Sequence, residues 1–295
     1  MTNQLDILVR QWTSVGILFN TAPTRGEIDL ERLLIDTARN TDRMARLFVM
    51  SATWLHTYGD LIAKHRLKRL IRDELEPEYQ PVLGLLLDIA QQGTHPLEFE
   101  TIIKTLKPAN QPKALFASSR KNPKLRELAK RKASGISRKW NLWCQPIEFK
   151  DDALRPASWL MRRHPEFVTR ADFRGDLRAS ILAALQFDAD AGHSELRLAE
   201  LAGGSRAQLR SALRNLEMSG RVFARKAEGA NRREMISAER LQTELSELID
   251  SSDLPEWMED PNEAFDGATP LQLIERGEID RLWQMVYAVR SGHPM

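Results

Sequence analysis

Between Leu198 and Val222 the chain leaves itself few conformations to choose from. Leu198 and Leu201, three apart, give a short helix one buried side. Gly203-Gly204 breaks that helix and permits a sharp turn with positive φ. Ser205 stands where an N-cap belongs, its hydroxyl placed to accept a backbone N–H of a new helix. Leu209, Leu213 and Leu216 then recur at i, i+4 and i+7, so one face is apolar. Positions 207, 210, 211 and 214 fall on the other face and hold Ala, Arg, Ser and Arg. Gly220 ends the second helix as a C′ residue.

A short helix, a tight glycine turn and a longer helix with an arginine face is the helix-turn-helix plan. Arg221 to Lys226 is strand-like, Ala227 to Asn231 reads as a turn, and Arg232 to Ser237 returns, a β-hairpin with a basic tip. Over about residues 172 to 242 the chain resembles the winged helix-turn-helix domains of bacterial transcription regulators. The first helix of that domain is expected over Asp172 to Phe187, with Leu177, Ile181, Leu182 and Leu185 on one face, and a closing helix from Ala238 to about Ile249. The resemblance implies duplex DNA as partner. Arg206, Gln208 and Arg210, behind the cap Ser205, would approach base edges, with Arg214 on the same face. Arg225, Lys226, Arg232 and Arg233 of the wing would meet phosphate or the minor groove. A purely structural helix and hairpin have no need of all these cations together. The alternative is a winged helix that serves as scaffold for protein contacts.

The length of 295 residues is enough for two or three domains. The net charge of +2 says nothing about nucleic acid, but its distribution does. From Lys104 to Lys139 there are twelve Lys or Arg and one acid, Glu127; from Glu244 to Asp280 there are twelve acids and one base, Arg276. One basic stretch and one acidic end suit two kinds of partner. The single cysteine, Cys144, excludes an internal disulfide. Asp6 and Arg10 interrupt the apolar run of the N-terminus, and no stretch is long and apolar enough for a membrane span, so a cytoplasmic protein without a membrane partner is expected.

Residues 1 to 104 read as a helical domain. Leu30, Leu33, Leu34, Ala38, Met44, Leu47 and Phe48 carry helical spacing, Asp29 and Thr41 stand as caps, and Val82 to Ala90 is apolar enough for a buried helix. Pro96 would open another helix through Leu106. Residues 105 to 170 read as a connector. Pro108, Pro112 and Pro123 among Asn, Ser and Lys suit a linker or exposed arm up to 124. A basic helix follows over Lys124 to Lys132, with Leu125 and Leu128 as a narrow apolar stripe. Its cations, among them Lys130, Arg131 and Lys132, are either a solvated face or phosphate contacts that add affinity without reading sequence. Trp140, Trp143 and Trp159, with Phe149, suggest a small core of their own.

The winged helix-turn-helix is expected over 171 to 249. After it, Asp250 to Asn262 reads as an acidic linker. Thr269 caps a helix that Pro270 begins at N1, Gly277 stops it, and Ile279, Leu282, Trp283, Val286 and Val289 give the next helix an apolar face. Residues 255 to 293 thus form a helical hairpin too small to be stable alone. The phrase Phe265-Asp-Gly267-Ala-Thr269-Pro270-Leu271-Gln-Leu273-Ile274-Glu-Arg-Gly277, followed by a helix and Gly292, resembles the C-terminal toxin-binding domain of ParS, MbcA and Xre-type antitoxins. In that family the domain engages a toxin of the NAD-consuming RES type. The resemblance implies a toxin protein as partner, met through Gly267, Thr269, Pro270, Leu271 and Trp283, and leaves a homodimer open.

The chain contains no His-Glu-x-x-His, no paired Cys-x-x-Cys and no phosphate loop, and Gly203-Gly204 lacks the third glycine of a dinucleotide fingerprint. No catalytic residue, metal or cofactor is therefore expected. The expected fold class is mainly α: a multi-domain helical protein with a winged helix-turn-helix and a C-terminal helical hairpin.

Overall fold

The computed structural model describes residues 4–92, 99–227, 230–235, 241, 244–250, 252–276 and 278–291. Side chains are described for all of these except 223–227, 230–232, 234–235, 280, 287, 290 and 291. The protein is mainly α, with two short two-stranded sheets among the described residues. It divides into two compact units, residues 1–160 and 161–295.

The first unit is a helical bundle. Its long helices are α1 (Gln4–Ser14), α2 (Leu30–Asn40), α3 (Ala45–Tyr58), α4 (Lys64–Glu74) and α5 (Gln80–Ala90). Asp29 caps α2 by accepting the Arg32 N–H at 3.1 Å. Thr41 does not cap α3: its hydroxyl donates to the Thr37 carbonyl at 2.8 Å, and Met44 occupies the N-cap position without a side-chain bond. The core is built from Leu8, Trp12, Leu34, Leu47, Phe48, Trp54, Leu67, Leu83 and Leu86, all at most 1% exposed. Of the helix expected from Pro96, residues 93–98 lie outside the described residues; α6 covers Glu100–Ile103.

Residues 105–160 belong to this bundle rather than to a linker. Lys113–Ala114 (β1) pairs in parallel with Leu142–Trp143 (β2), and Ala114, Leu115 and Leu142 are buried. Trp140 does not sit in a core of its own. It packs on Gly84 of α5, and its indole N–H donates to Asp88 at 2.9 Å. Between the strands lie three short helices, α7 (Ala117–Lys121), α8 (Pro123–Lys132) and α9 (Gly135–Lys139). The helix α10 (Ala157–Arg163) ends the segment.

In the second unit the expected first helix is two. Helix α11 (Glu166–Phe173) ends at Arg174 and Gly175, both with positive φ, and α12 (Leu177–Phe187) restarts at the cap Asp176, which accepts the Arg178 N–H at 2.7 Å. Helices α13 (Glu195–Ala202) and α14 (Arg206–Met218) follow, then an antiparallel hairpin of β3 (Val222–Ala227) and β4 (Ala230–Met235) in the register Val222↔Met235. Ile181, Ala184, Leu198, Leu201, Ala202, Leu209, Leu213, Leu216 and Val222 form one core beneath them.

The stretch after residue 250 is not an acidic tether. Leu254–Glu259 folds as α15, with Leu254 buried and Trp257 and Met258 packed on a core that includes Phe265, Leu273, Leu282, Trp283 and Val286. Leu241 and Leu245, from the segment after the wing, lie in that same core at 1% exposure each. The hairpin of α16 (Pro270–Glu275) and α17 (Ile279–Ser291) therefore buries its apolar faces against this chain. Gly277 and Gly292 lie outside the described residues.

Candidate nucleic-acid interface

The turn between α13 and α14 uses its two glycines differently. Gly203 closes α13 in the left-handed region at φ 77°, where a Cβ would add strain that glycine avoids. Gly204 allows close approach, since a Cβ there would lie 2.8 Å from the Leu177 side chain. Ser205 and Gln208 then form a capping box at the start of α14. The Gln208 N–H donates to the Ser205 hydroxyl at 3.4 Å, and the Ser205 N–H donates to the Gln208 amide oxygen at 3.1 Å. Such caps stabilise a helix start by about 1 kcal/mol. Both side chains are thus engaged in holding the helix end.

Leu209, Leu213 and Leu216 anchor α14 in the core, each at most 2% exposed. Burial of that kind is worth about 1.5–3 kcal/mol per side chain and fixes which face turns outward. That outward face carries Arg206, Arg210 and Arg214, all exposed, at i, i+4 and i+8. They form one row along about 12 Å of helix axis. The side chains of Arg206 and Arg214 have no ion-pair partner among the described residues. Arg210 is 69% exposed and its Nε lies 3.0 Å from Glu195 Oε2.

The wing cations divide. The side chains of Arg225, Lys226 and Arg232 lie outside the described residues. Arg233 is only 16% exposed and is committed to two carboxylates: Glu217 at 2.8 Å and Glu195 at 3.3 Å. The neighbouring turn approaches the same point, for a Cβ on Gly192 would lie 2.3 Å from the Arg233 carbonyl oxygen. Arg233 thus ties β4 to α13 and α14.

Three side chains around α14 had no role in the sequence reading. Arg178 donates to Asn215 on α14 at 3.0 Å and lies 4.2 Å from the Phe173 ring centroid. Arg221 lies 5.4 Å from the same centroid and pairs with Asp172 at 3.3 Å. Glu195 joins Arg210 to Arg233. A pairing between residues 15 and 38 positions apart leaves no periodic trace in sequence, so no pattern announces it.

Lys130, Arg131 and Lys132 occupy the last turn of α8, a helix with no buried residue. Cations there complement the negative end of the helix dipole. Lys130 Nζ lies 5.6 Å from the Trp143 ring centroid, and Arg138 donates to the Lys130 carbonyl at 2.8 Å. This helix belongs to the first unit and α14 to the second.

Of the residues singled out at the C-terminal module, Thr269 forms a capping box with Gln272, and Pro270 is buried at N1 of α16. Gly267 has φ 80° with nothing within 4 Å of a Cβ position. Leu271 is 41% exposed, whereas Trp283 is 7% exposed and part of the core. Asp266, in the left-handed region at φ 56°, pairs with Arg281 at 2.8 Å.

A cleft in the first unit is lined by His56, Tyr58, Asp151 and Arg155. His56 Nδ1 is 2.9 Å from the Ala90 carbonyl oxygen, and the Tyr58 hydroxyl donates to the Arg155 carbonyl at 2.7 Å, so both are tied to backbone. Among the described residues no group of three or more His, Cys, Asp or Glu could hold a metal ion, and no helix is long and apolar enough to cross a membrane. Comparison with family models, with curated proteins and with solved structures finds no match to this chain.

Proposed function

We propose that this protein binds duplex DNA through α14 and the adjoining wing, as a regulator of transcription. The observation that carries the reading is the open row of Arg206, Arg210 and Arg214 on a helix whose opposite face is locked in the core. A helix presented in this way matches the width of the major groove, and arginine is the side chain best suited to guanine edges and to phosphate. The contacts of α14 itself fall to these three arginines. Ser205, Gln208 and Arg233 set the helix end and the wing. Lys130, Arg131 and Lys132 supply phosphate contacts without sequence preference.

A protein partner on the C-terminal module would meet Leu271 and the 54%-exposed Val289 rather than Trp283. The toxin implied by the antitoxin resemblance is proposed for that surface.

Fluorescence anisotropy with duplex DNA at low salt, including DNA upstream of the chain's own gene, tests the main reading. Arg206→Ala with Arg214→Ala should weaken binding by about 1–3 kcal/mol per base-reading contact. Wild-type affinity should fall with salt at a log–log slope of about −0.9 per neutralised phosphate. Absence of binding at low salt sinks the reading.

A further inference from the structure

Glu195 is the residue on which the arginine row and the wing converge. One carboxylate oxygen, Oε2, lies 3.0 Å from Arg210 Nε, and the other, Oε1, lies 3.3 Å from Arg233 Nη2. The two arginines are held unequally. Arg233 has a second carboxylate, Glu217 at 2.8 Å, and is mostly covered; among the described residues Arg210 pairs with Glu195 alone, and it is largely exposed. Loss of the Arg210 pair would leave Arg233 and the wing held by both glutamates. Arg210 is thus the member of the network free to leave.

We infer that Glu195 restrains DNA binding, holding Arg210 in competition with DNA phosphate so that affinity for duplex of any sequence is lowered. This rests on the DNA-binding reading above. An exposed pair of this kind changes an equilibrium by about two- to fivefold. A lone phosphate contact is of the same order and gains little by displacing it. A bidentate contact to a base edge is stronger and wins. Glu195 therefore lowers affinity for every sequence by about the same factor, and a matching sequence still binds because its base contact repays the exchange of partners.

The test compares wild type, Glu195→Gln, Arg210→Ala and the double variant on a duplex of random sequence, across a salt series. Glu195→Gln keeps the size and polarity of the side chain and leaves the Arg233–Glu217 pair in place. It should bind random duplex about two- to fivefold more tightly, with a steeper salt slope as Arg210 is released to phosphate. In the Arg210→Ala background the same substitution should change nothing. Glu195→Asp, which keeps the charge but withdraws it by one methylene, should lie between, and serves if the glutamine variant folds poorly. A gain of equal size with and without Arg210 would assign the effect to direct repulsion of DNA and overturn the inference. Unchanged or weaker binding by Glu195→Gln, beside a wild type that binds, overturns it and leaves the DNA reading standing. If no form binds duplex, both fall.

Discussion

Arg66 has no solvent exposure, and its surroundings show what keeps a charge in a core. Its guanidinium donates to both Asp29 oxygens, at 2.7 and 2.8 Å, and to Glu31 at 3.0 Å, while the other Glu31 oxygen accepts the Ala63 N–H at 2.8 Å. Burial pushes the Asp29 carboxyl upward, but the hydrogen bonds and charges of Arg66 and Arg32 together outweigh it and hold the group below its ordinary value of 3.8. A depressed carboxylate contributes stability that is complete above the unfolded value and is lost as pH falls through the folded one. Urea midpoints taken from about pH 5 down to about pH 2 should therefore fall more steeply for wild type than for Asp29→Asn. Arg66→Leu, which takes the guanidinium from the buried Glu31 and leaves Asp29 to Arg32, should cost about 3–5 kcal/mol in the same assay. Cys144 behaves oppositely: burial at 3% exposure pushes its thiol up to about 11. Iodoacetamide at mildly alkaline pH should leave the native protein unmodified and alkylate it once denaturant is added.

The packing of whole elements turns on one missing Cβ in the first unit. Helix α5 is apolar along its length except for Gln80 at its start and Asp88, and Trp140 lies across it at Gly84. A Cβ at Gly84 would stand 2.3 Å from the Trp140 ring, and the Asp88 bond to the indole N–H prevents the ring from sliding away. Alanine normally favours a helix over glycine by about 1 kcal/mol. Here the overlap should reverse that sign and lower stability by about 1–3 kcal/mol. Gly135→Ala is the control, since nothing lies within 4 Å of a Cβ there; its melting temperature should stay level or rise while that of Gly84→Ala drops.

At the scale of the molecule, the second unit carries two cores among the described residues, one drawn from residues 181 to 222 and the other from 241 to 286. Deleting residues 255–295 would remove Phe265, Leu273, Leu282, Trp283 and Val286 and bare Leu241 and Leu245. Each leucine so exposed forfeits about 1.5–3 kcal/mol. The truncated chain should melt at lower temperature than the full chain and bind a hydrophobic dye in the cold. A truncated form that melts as the full chain does and binds no dye would mean that these contacts contribute nothing, and would restore the view of a tethered module.

What could be read from residues alone was whatever depends on neighbours along the chain. The mainly helical class, the Gly203 turn, the Ser205 and Thr269 caps and the leucine face of α14 all follow from spacings of three or four residues and from local backbone chemistry. The row of Arg206, Arg210 and Arg214 follows too, because a helix with one apolar face has only one other face to show. Tertiary structure decided everything that depends on a meeting of distant segments. Pro108 and Pro112 mark irregular chain, but not that Leu115 would be buried or that Trp140 would pack on Gly84 of α5. The acids of 250–262 suggest mutual repulsion, yet Leu254, Trp257 and Met258, spaced at three and four, hold that segment to the core. Arg233 shows the limit most clearly. Its charge suggested a phosphate contact, and only the fold brings Glu195 and Glu217 within 3.3 Å of it, because ion pairing is a matter of distance in space, which sequence separation does not encode.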